Sequence, residues 1–307
     1  MSTSALAPAI DSATLMLSED DLGRFPHESF LVKHNLAGDR RFSLPRLVEL
    51  AQRLSMEQVE YYTGKVAVNQ DPKTHPKNGL SVADTVRGIE ENGSWMVLKN
   101  VQTDPEYAKL LRETLGGVYS RVTDTVHGFH REEAFIFISS PGSVTPYHLD
   151  EEHNFLCQVQ GTKQVSIWDP RDRTVLPEPQ IEHMLQIWHG DDYHRNMPFK
   201  QEFQERAREY TLNPGDALHF PVGAPHWVKN GNQVSISFSI TFRSRYSERQ
   251  AIIYFLNGKV RRLGLRPTPP GVSGWRDGLK VAAFQTVRFA ARVGGGSWLK
   301  RNQSKWA

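Results

Sequence analysis

Thr145-Pro146-Tyr147-His148-Leu149-Asp150 and, 76 residues beyond that Asp, Pro225-His226-Trp227 are the stretches on which the reading of this chain turns. An H-x-D pair followed by a distant His has the order of a 2-His-1-carboxylate site. Three protein ligands then hold one face of a ferrous ion and leave its other positions open. Side chains at i and i+2 of a strand point to the same side. His148 and Asp150 can therefore face one interior while Leu149 faces away.

The surroundings read as β. Ala134 to Ile138 is an apolar strand run. Phe155 to Val159 and Gln164 to Trp168 flank Gly161-Thr162, which predicts a hairpin. Asn213-Pro214-Gly215-Asp216 is a turn with Pro and Gly where turns favour them. Ala217 to Phe220 follows as a short strand, and Gly223-Ala224-Pro225 bends the chain into His226. Val234 to Ile240 alternates with period two, as a half-buried strand does.

His148-Leu149-Asp150-Glu151-Glu152-His153-Asn154-Phe155, followed by Gln158-Val159-Gln160-Gly161-Thr162-Lys163, resembles the JmjC branch of the 2-oxoglutarate oxygenases. In pattern it is most similar to the asparaginyl hydroxylase that acts on hypoxia-inducible factor. The resemblance spans residues 133–243, about a third of the chain. It implies a mainly β fold with flanking helices, a double-stranded β-helix or jelly roll of the cupin/JmjC kind. It implies His148, Asp150 and His226 as the Fe(II) ligands, and Lys163 as the cation that pairs with the far carboxylate of 2-oxoglutarate. Thr145 matches a hydroxyl on that same carboxylate, and Asn154 a polar residue of the co-substrate pocket. Near the other end of the co-substrate, where that hydroxylase has an Asn, this chain carries Ser237, Ser239 and Thr241, of which Ser239 is the closest match. Glu152 stands where that hydroxylase has Gln, so its substrate contacts are not implied.

The chemistry so implied consumes dioxygen, decarboxylates 2-oxoglutarate to succinate and oxidises a substrate C–H bond. The usual product is an alcohol, and demethylation follows when the carbon is N-methyl. The metal does the redox step, and the protein supplies placement. A charge-assisted hydrogen bond from Lys163 would be worth roughly twice a neutral one. The substrate stays open between a protein side chain and a small molecule. Two rivals remain: a non-oxidative metal cupin of the isomerase kind, and a non-catalytic JmjC-like binding or regulatory module. Lys163 argues against the first and the intact triad against the second.

Each residue has a plainer reading. His148 reads equally as an interior His bonded to a neighbour, Asp150 as a rim carboxylate, His226 as a loop residue, Lys163 as an exposed strand lysine and Asn154 as a turn cap. His153, His189, His194 and His219 read as surplus loop or surface histidines.

Composition sets the frame. A chain of 307 residues can bury a sizeable core. Its one cysteine, Cys157, excludes an intrachain disulfide and fits a reducing compartment. No basic, then apolar, leader opens the sequence, and no run approaches the ~20 apolar residues of a spanning helix. A cytoplasmic enzyme with no membrane partner is the expectation.

Three regions are expected. Residues 1–115 form a helix-and-strand buttress, whose first 42 residues wrap or fray. In it, Ser43-Leu44-Pro45 predicts a helix start, Val82 to Glu91 and Pro105 to Leu115 helices, and Trp95 to Leu98 a strand. Residues 116–243 form the core, with an insertion over 169–210 that reads as a substrate lid or a surface excursion. Residues 244–307 form a basic C-terminal helical extension.

From Arg243 onward there are fourteen Lys or Arg against two acidic residues, a net +12. The whole chain is +3, so residues 1–242 carry −9. Such a tail suits packing on the acidic body or a second subunit, attraction of an acidic substrate, nucleic acid or anionic lipid, or a solvated terminal segment. A helix over Asp277 to Val293 would place Val281, Phe284, Val287 and Ala291 on one face. Together with the C-terminal helical dimerisation that the resemblance implies, this predicts a homodimer.

Overall fold

A computed structural model describes residues 14–71, 74–187 and 197–293. It divides into two compact units, 1–170 with 196–244 and 171–195 with 245–307.

The first unit opens with β1 (Leu15–Met16), α1 (Glu19–Arg24) and β2 (Phe30–His34). These lie where the sequence suggested a fraying arm. β2 alternates buried and exposed residues, and it pairs along β10 (Asp216–Phe220). α2 (Leu44–Arg53) starts after Ser43 with Pro45 in its first turn, and it buries Leu47, Val48, Leu50 and Ala51. β3 (Val59–Thr63), α3 (Val82–Arg87) and β4 (Ser94–Leu98) follow.

α4 (Pro105–Val126) is capped by the Asp104 side chain and runs through Gly116-Gly117 well past Leu115. The buried stripe Leu111, Leu115, Val118, Val122 and Val126 continues across both glycines. Packing of that stripe outweighs their cost of about 1 kcal/mol each.

The remaining strands are β5 (Phe129–Ser139), β6 (Val144–His148), β7 (His153–Gln160), β8 (Lys163–Ile167), β9 (Arg208–Leu212), β11 (His226–Asn230) and β12 (Ser235–Ser244). They form an eight-stranded sheet, β1-β2-β10-β7-β12-β5-β4-β3, and a four-stranded one, β6-β11-β8-β9. Every pairing is antiparallel. Leu156 and Leu218 from the large sheet and Val165, Ile167, Leu212 and Val228 from the small one share a buried cluster, so the sheets pack face to face. This is the jelly-roll architecture.

Two strand expectations need correction. β7 and β8 are not a hairpin, because β7 pairs with β10 and β12 while β8 pairs with β11 and β9. The Gly161 turn carries the chain from one sheet to the other. It has φ +69°, and a Cβ there would meet the Val234 carbonyl oxygen at 2.3 Å. β12 is buried on both faces rather than one. Ser237, Ser239 and Thr241 face the small sheet, while Phe238 and Phe242 pack on Phe42 and Phe129 with ring centroids 5.6 and 4.0 Å apart.

His153 and His219 also depart from the surface reading, being fully buried. Their rings stack 6.3 Å apart among Phe25, Phe155 and Phe242 on the outer face of the large sheet. His189 and His194 lie outside the described residues.

β1 to β4, all within residues 1–115, are hydrogen-bonded into the same sheet as the core strands. The inserted stretch 169–210 divides: 171–195 groups with the C-terminal helices, and Arg208 to Leu212 is strand β9. Residues 188–196 of that stretch, for which a lid or a surface excursion is expected, fall outside the described residues.

The second unit contains α5 (Glu178–Ile187), α6 (Arg245–Arg262) and α7 (Gly274–Val293). Arg261 donates to both oxygens of the buried Glu182, at 2.5 and 3.0 Å. Phe284 of α7 meets Phe255 of α6 edge-on at 5.9 Å. The expected apolar face is therefore turned inward at Val281 and Phe284, and the side chain of Ala291 is outside the described set. Val287, expected on that same face, is instead 65% exposed, and Trp275, Leu279 and Phe289 elsewhere on α7 are 61–70% exposed. No helix among the described residues is long and apolar enough to cross a membrane.

Candidate active site

Strand pairing brings the two histidines together. His148 on β6 is the register partner of His226 on β11, with ring centroids 4.1 Å apart. Asp150 follows β6, and its Oδ2 lies 3.9 Å from His226 Nε2. Ligand atoms from His148, Asp150 and His226 all fall within 4.8 Å of one another.

Backbone contacts orient the rings. His148 Nδ1 bonds the Pro146 carbonyl at 2.7 Å, and His226 Nδ1 bonds the Ala224 carbonyl at 3.0 Å. A carbonyl only accepts, so each Nδ1 carries the proton and each Nε2 keeps a lone pair for a metal. The Gly223 N–H donates to the Asp150 carbonyl at 2.7 Å, tying the carboxylate's turn to the loop that delivers His226.

Thr145 reaches the same face by way of a bulge. Between the His226–His148 and Val228–Thr145 pairs, β11 advances two residues and β6 three. In a regular strand, residues three apart face opposite sides. The extra residue on β6, beside Pro146, restores Thr145 to the face of His148. Trp95 Nε1–H donates to Thr145 Oγ1 at 3.2 Å.

Lys163 extends that face along the small sheet. It pairs with Asn230 of β11, four residues along the ladder from the His226–Ile167 rung. At ~3.3 Å per residue this is roughly 13 Å of strand, room for a chelating dicarboxylate lying along it. Lys163 is 3% exposed, and its Nζ lies 5.5 Å from the Phe137 ring centroid. Among the described residues it has no hydrogen-bond or ion-pair partner, and burial pushes its pKa down to about 7. A lone buried ammonium is unfavourable unless an anion completes it.

The opposite wall comes from the large sheet. Ser239 Oγ–H donates to Asn154 Oδ1 at 2.8 Å. Ser239 thus orients Asn154. Thr241, the register partner of Asn154 on β12, is 7% exposed, and its Oγ1 has no partner among the described residues. It is the hydroxyl available to a bound molecule.

Arg243 lies one residue beyond the Phe242–His153 pair. It donates to Glu152 at 2.7 Å and to Glu151 at 3.3 Å. Trp95, Phe137 and Arg243 were not singled out from sequence, and Thr241 entered only beside Ser237 and Ser239, with Ser239 preferred. The alternation of β12 marks Thr241, which shares a parity with Ser237 and Ser239. The others depend on which strands become neighbours.

A family model described as a cupin-like domain matches residues 36–248. JmjC domain-containing protein D of Dictyostelium discoideum is 32% identical over 111 residues, 34% of this chain and 23% of that protein. Lysine-specific demethylase 8 of Danio rerio is 31% identical over 106 residues, 33% of this chain and 24% of that protein. The matched stretches thus span about a quarter of these relatives' length. Among solved structures, an X-ray structure of E. coli ycfD superposes with a TM-score of 0.53 at 17% identity, covering 91% of this chain and 69% of the other.

Proposed function

The chain belongs to the cupin-like domain family, and from that premise we propose that it is an oxygenase dependent on Fe(II), 2-oxoglutarate and dioxygen. It would hydroxylate an unactivated C–H bond of a protein side chain or small molecule, releasing succinate and CO2. One observation carries the reading: Lys163, a buried ammonium with no ion-pair or hydrogen-bond partner among the described residues, shares an interior face with the His148–Asp150–His226 cluster.

The residues present suit both groups. Two imidazole Nε2 atoms and one carboxylate suit a ferrous ion and leave positions for a chelating co-substrate. When bound, that pair supplies the oxidising chemistry. The chain binds and places. Lys163, with the Thr145 hydroxyl held by Trp95, would receive the far carboxylate of 2-oxoglutarate. Asn154 and Thr241 would meet the end nearer the metal. Phe137 and the surrounding apolar wall keep water from Lys163, which strengthens its attraction for an anion.

Hydroxylation and demethylation share this machinery and differ only in the substrate carbon. Relatives named as lysine-specific demethylases keep the second outcome in view. A non-oxidative cupin would have no use for an isolated cation four rungs from its metal.

Anaerobic addition of Fe(II) and 2-oxoglutarate to the metal-free chain tests the reading. A weak visible charge-transfer band that needs both components, and fades in Lys163→Ala, is expected. Metal binding with no such band would favour the non-oxidative cupin.

A further inference from the structure

Three consecutive carboxylates, Asp150, Glu151 and Glu152, occupy the turn that leaves β6. Glu151 and Glu152 are both buried. Like charges held this close in a poorly solvated turn repel one another, and a shared cation is the simplest remedy. Arg243 supplies it. Its Nη2 donates to Glu152 Oε1 and Glu151 Oε2, with 11% of the Arg243 side chain exposed against 9% and 4% for its partners. Continuing the antiparallel register beyond the Phe242–His153 pair sets Arg243 across from Glu152. Glu152 Oε2 also accepts the Glu151 N–H at 3.2 Å, which closes the turn upon itself.

We infer that Arg243 is a positioning residue for the metal carboxylate: by bridging Glu151 and Glu152 it fixes the turn that aims Asp150 at His148 and His226. The inference rests on reading that triad as a metal site. Removing Arg243 has two effects of opposite sign. Through charge alone, deleting a cation beside a dication site tightens metal binding. Through position, releasing the two glutamates lets Asp150 lose its aim and weakens binding. Position dominates because β6 ends at His148, and beyond the Gly223 N–H bond to the Asp150 carbonyl no strand ladder sets the direction of that side chain.

Co(II) binding to the metal-free full chain, read from its visible d–d band, separates the two effects when melting curves are run in parallel. Arg243→Gln is expected to weaken binding about 10–100-fold, the usual cost of losing an outer partner of a metal ligand. Arg243→Lys is expected to fall between, since an ammonium keeps the charge but not the planar fork. Adding Glu151→Gln and Glu152→Gln to Arg243→Gln is expected to restore the affinity to within a few-fold of the parent, because neutral amides need no guanidinium. Unchanged or tighter binding by Arg243→Gln overturns the inference. If that variant does not fold, Arg243→Lys and the triple variant carry the measurement, and parent-like binding by the first or a lasting deficit in the second overturns it. A parent that fails to bind Co(II), or a His148→Ala variant that binds it equally well, would instead defeat the metal reading itself.

Discussion

His148 and His226 are register partners on adjacent strands, and each gives its Nδ1–H to the carbonyl two residues before it. The same local device orients both rings, so both Nε2 atoms converge without help from a distant side chain. Replacing either His by Ala, or Asp150 by Ala, should therefore abolish Co(II) binding, a larger loss than the roughly 10–100-fold typical of outer partners. The metal-free variants should melt close to the parent, since the strand ladders are untouched. Calorimetric titration with thermal melting checks both halves, and retained binding in any of the three would remove that residue from the ligand set.

Lys163→Met should separate stability from binding. Replacing a buried, unpartnered ammonium by an apolar side chain of similar length removes a desolvation cost, so the ligand-free variant should melt above the parent. Affinity for 2-oxoglutarate should drop about 10- to 100-fold, the loss of a charged hydrogen bond worth roughly 1.5–3 kcal/mol. A lower melting point would mean that Lys163 already has its counter-charge.

The same lysine makes co-substrate binding pH-dependent. In the ligand-free fold its pKa is about 7, and an anion beside it raises that value. Between pH 7 and the ordinary lysine range near 10.4, binding takes up a proton, so affinity should fall as pH rises. Calorimetry at pH 8 in buffers of different ionisation heat would register the uptake, and buffer-independent heats would refute it.

Thr241→Val keeps the shape of the side chain and removes the hydroxyl. Its Oγ1 has no partner among the described residues, so stability should hold or rise slightly. The Kd for 2-oxoglutarate should increase several-fold. Ser239→Ala should weaken binding less, because it acts through Asn154. The reverse order would return Ser239 to direct contact with the co-substrate.

His219 gives the fold an acid limit. It is fully buried with its pKa pushed down to about 4, chiefly by burial. The unfolded chain takes up this proton below about pH 6.5, while the fold resists it until about pH 4, so stability falls as pH drops through that window. The full loss is about 3 kcal/mol. His219→Gln removes the titration and keeps a donor for the Glu28 carbonyl, so its melting point should vary less with pH between 6.5 and 4. An unchanged profile would place the acid sensitivity elsewhere, with His153, which burial also lowers, as the next group to replace.

That His148, Asp150 and His226 would come together was legible in sequence because two-residue spacing and a late His are local signals, and Thr145 and Lys163 were named with the motif. Less local facts were not. Nothing in Gly161-Thr162 distinguishes a hairpin from a crossing between sheets, since either needs a positive φ. The helix expected over Pro105 to Leu115 runs on through Gly116-Gly117 to Val126, because the apolar stripe that carries it is satisfied only by tertiary packing. Choosing between Ser239 and Thr241 required knowing that Ser239 is already bonded to Asn154.

The β8–β9 ladder has one more consequence. Arg208 sits directly opposite Ile167, which in turn sits opposite His226. The forty residues between Ile167 and Arg208 therefore leave and rejoin the sheet at a single rung beside His226, and their backbone touches the frame again: the Trp168 N–H donates to the Pro225 carbonyl at 2.9 Å and the Met197 N–H to the Tyr147 carbonyl at 3.2 Å. A change of length confined to the stretch between Trp168 and Met197 would leave both contacts and the His148–His226 register in place. On the proposed oxygenase reading, substrate choice then has a route to diversify apart from the triad.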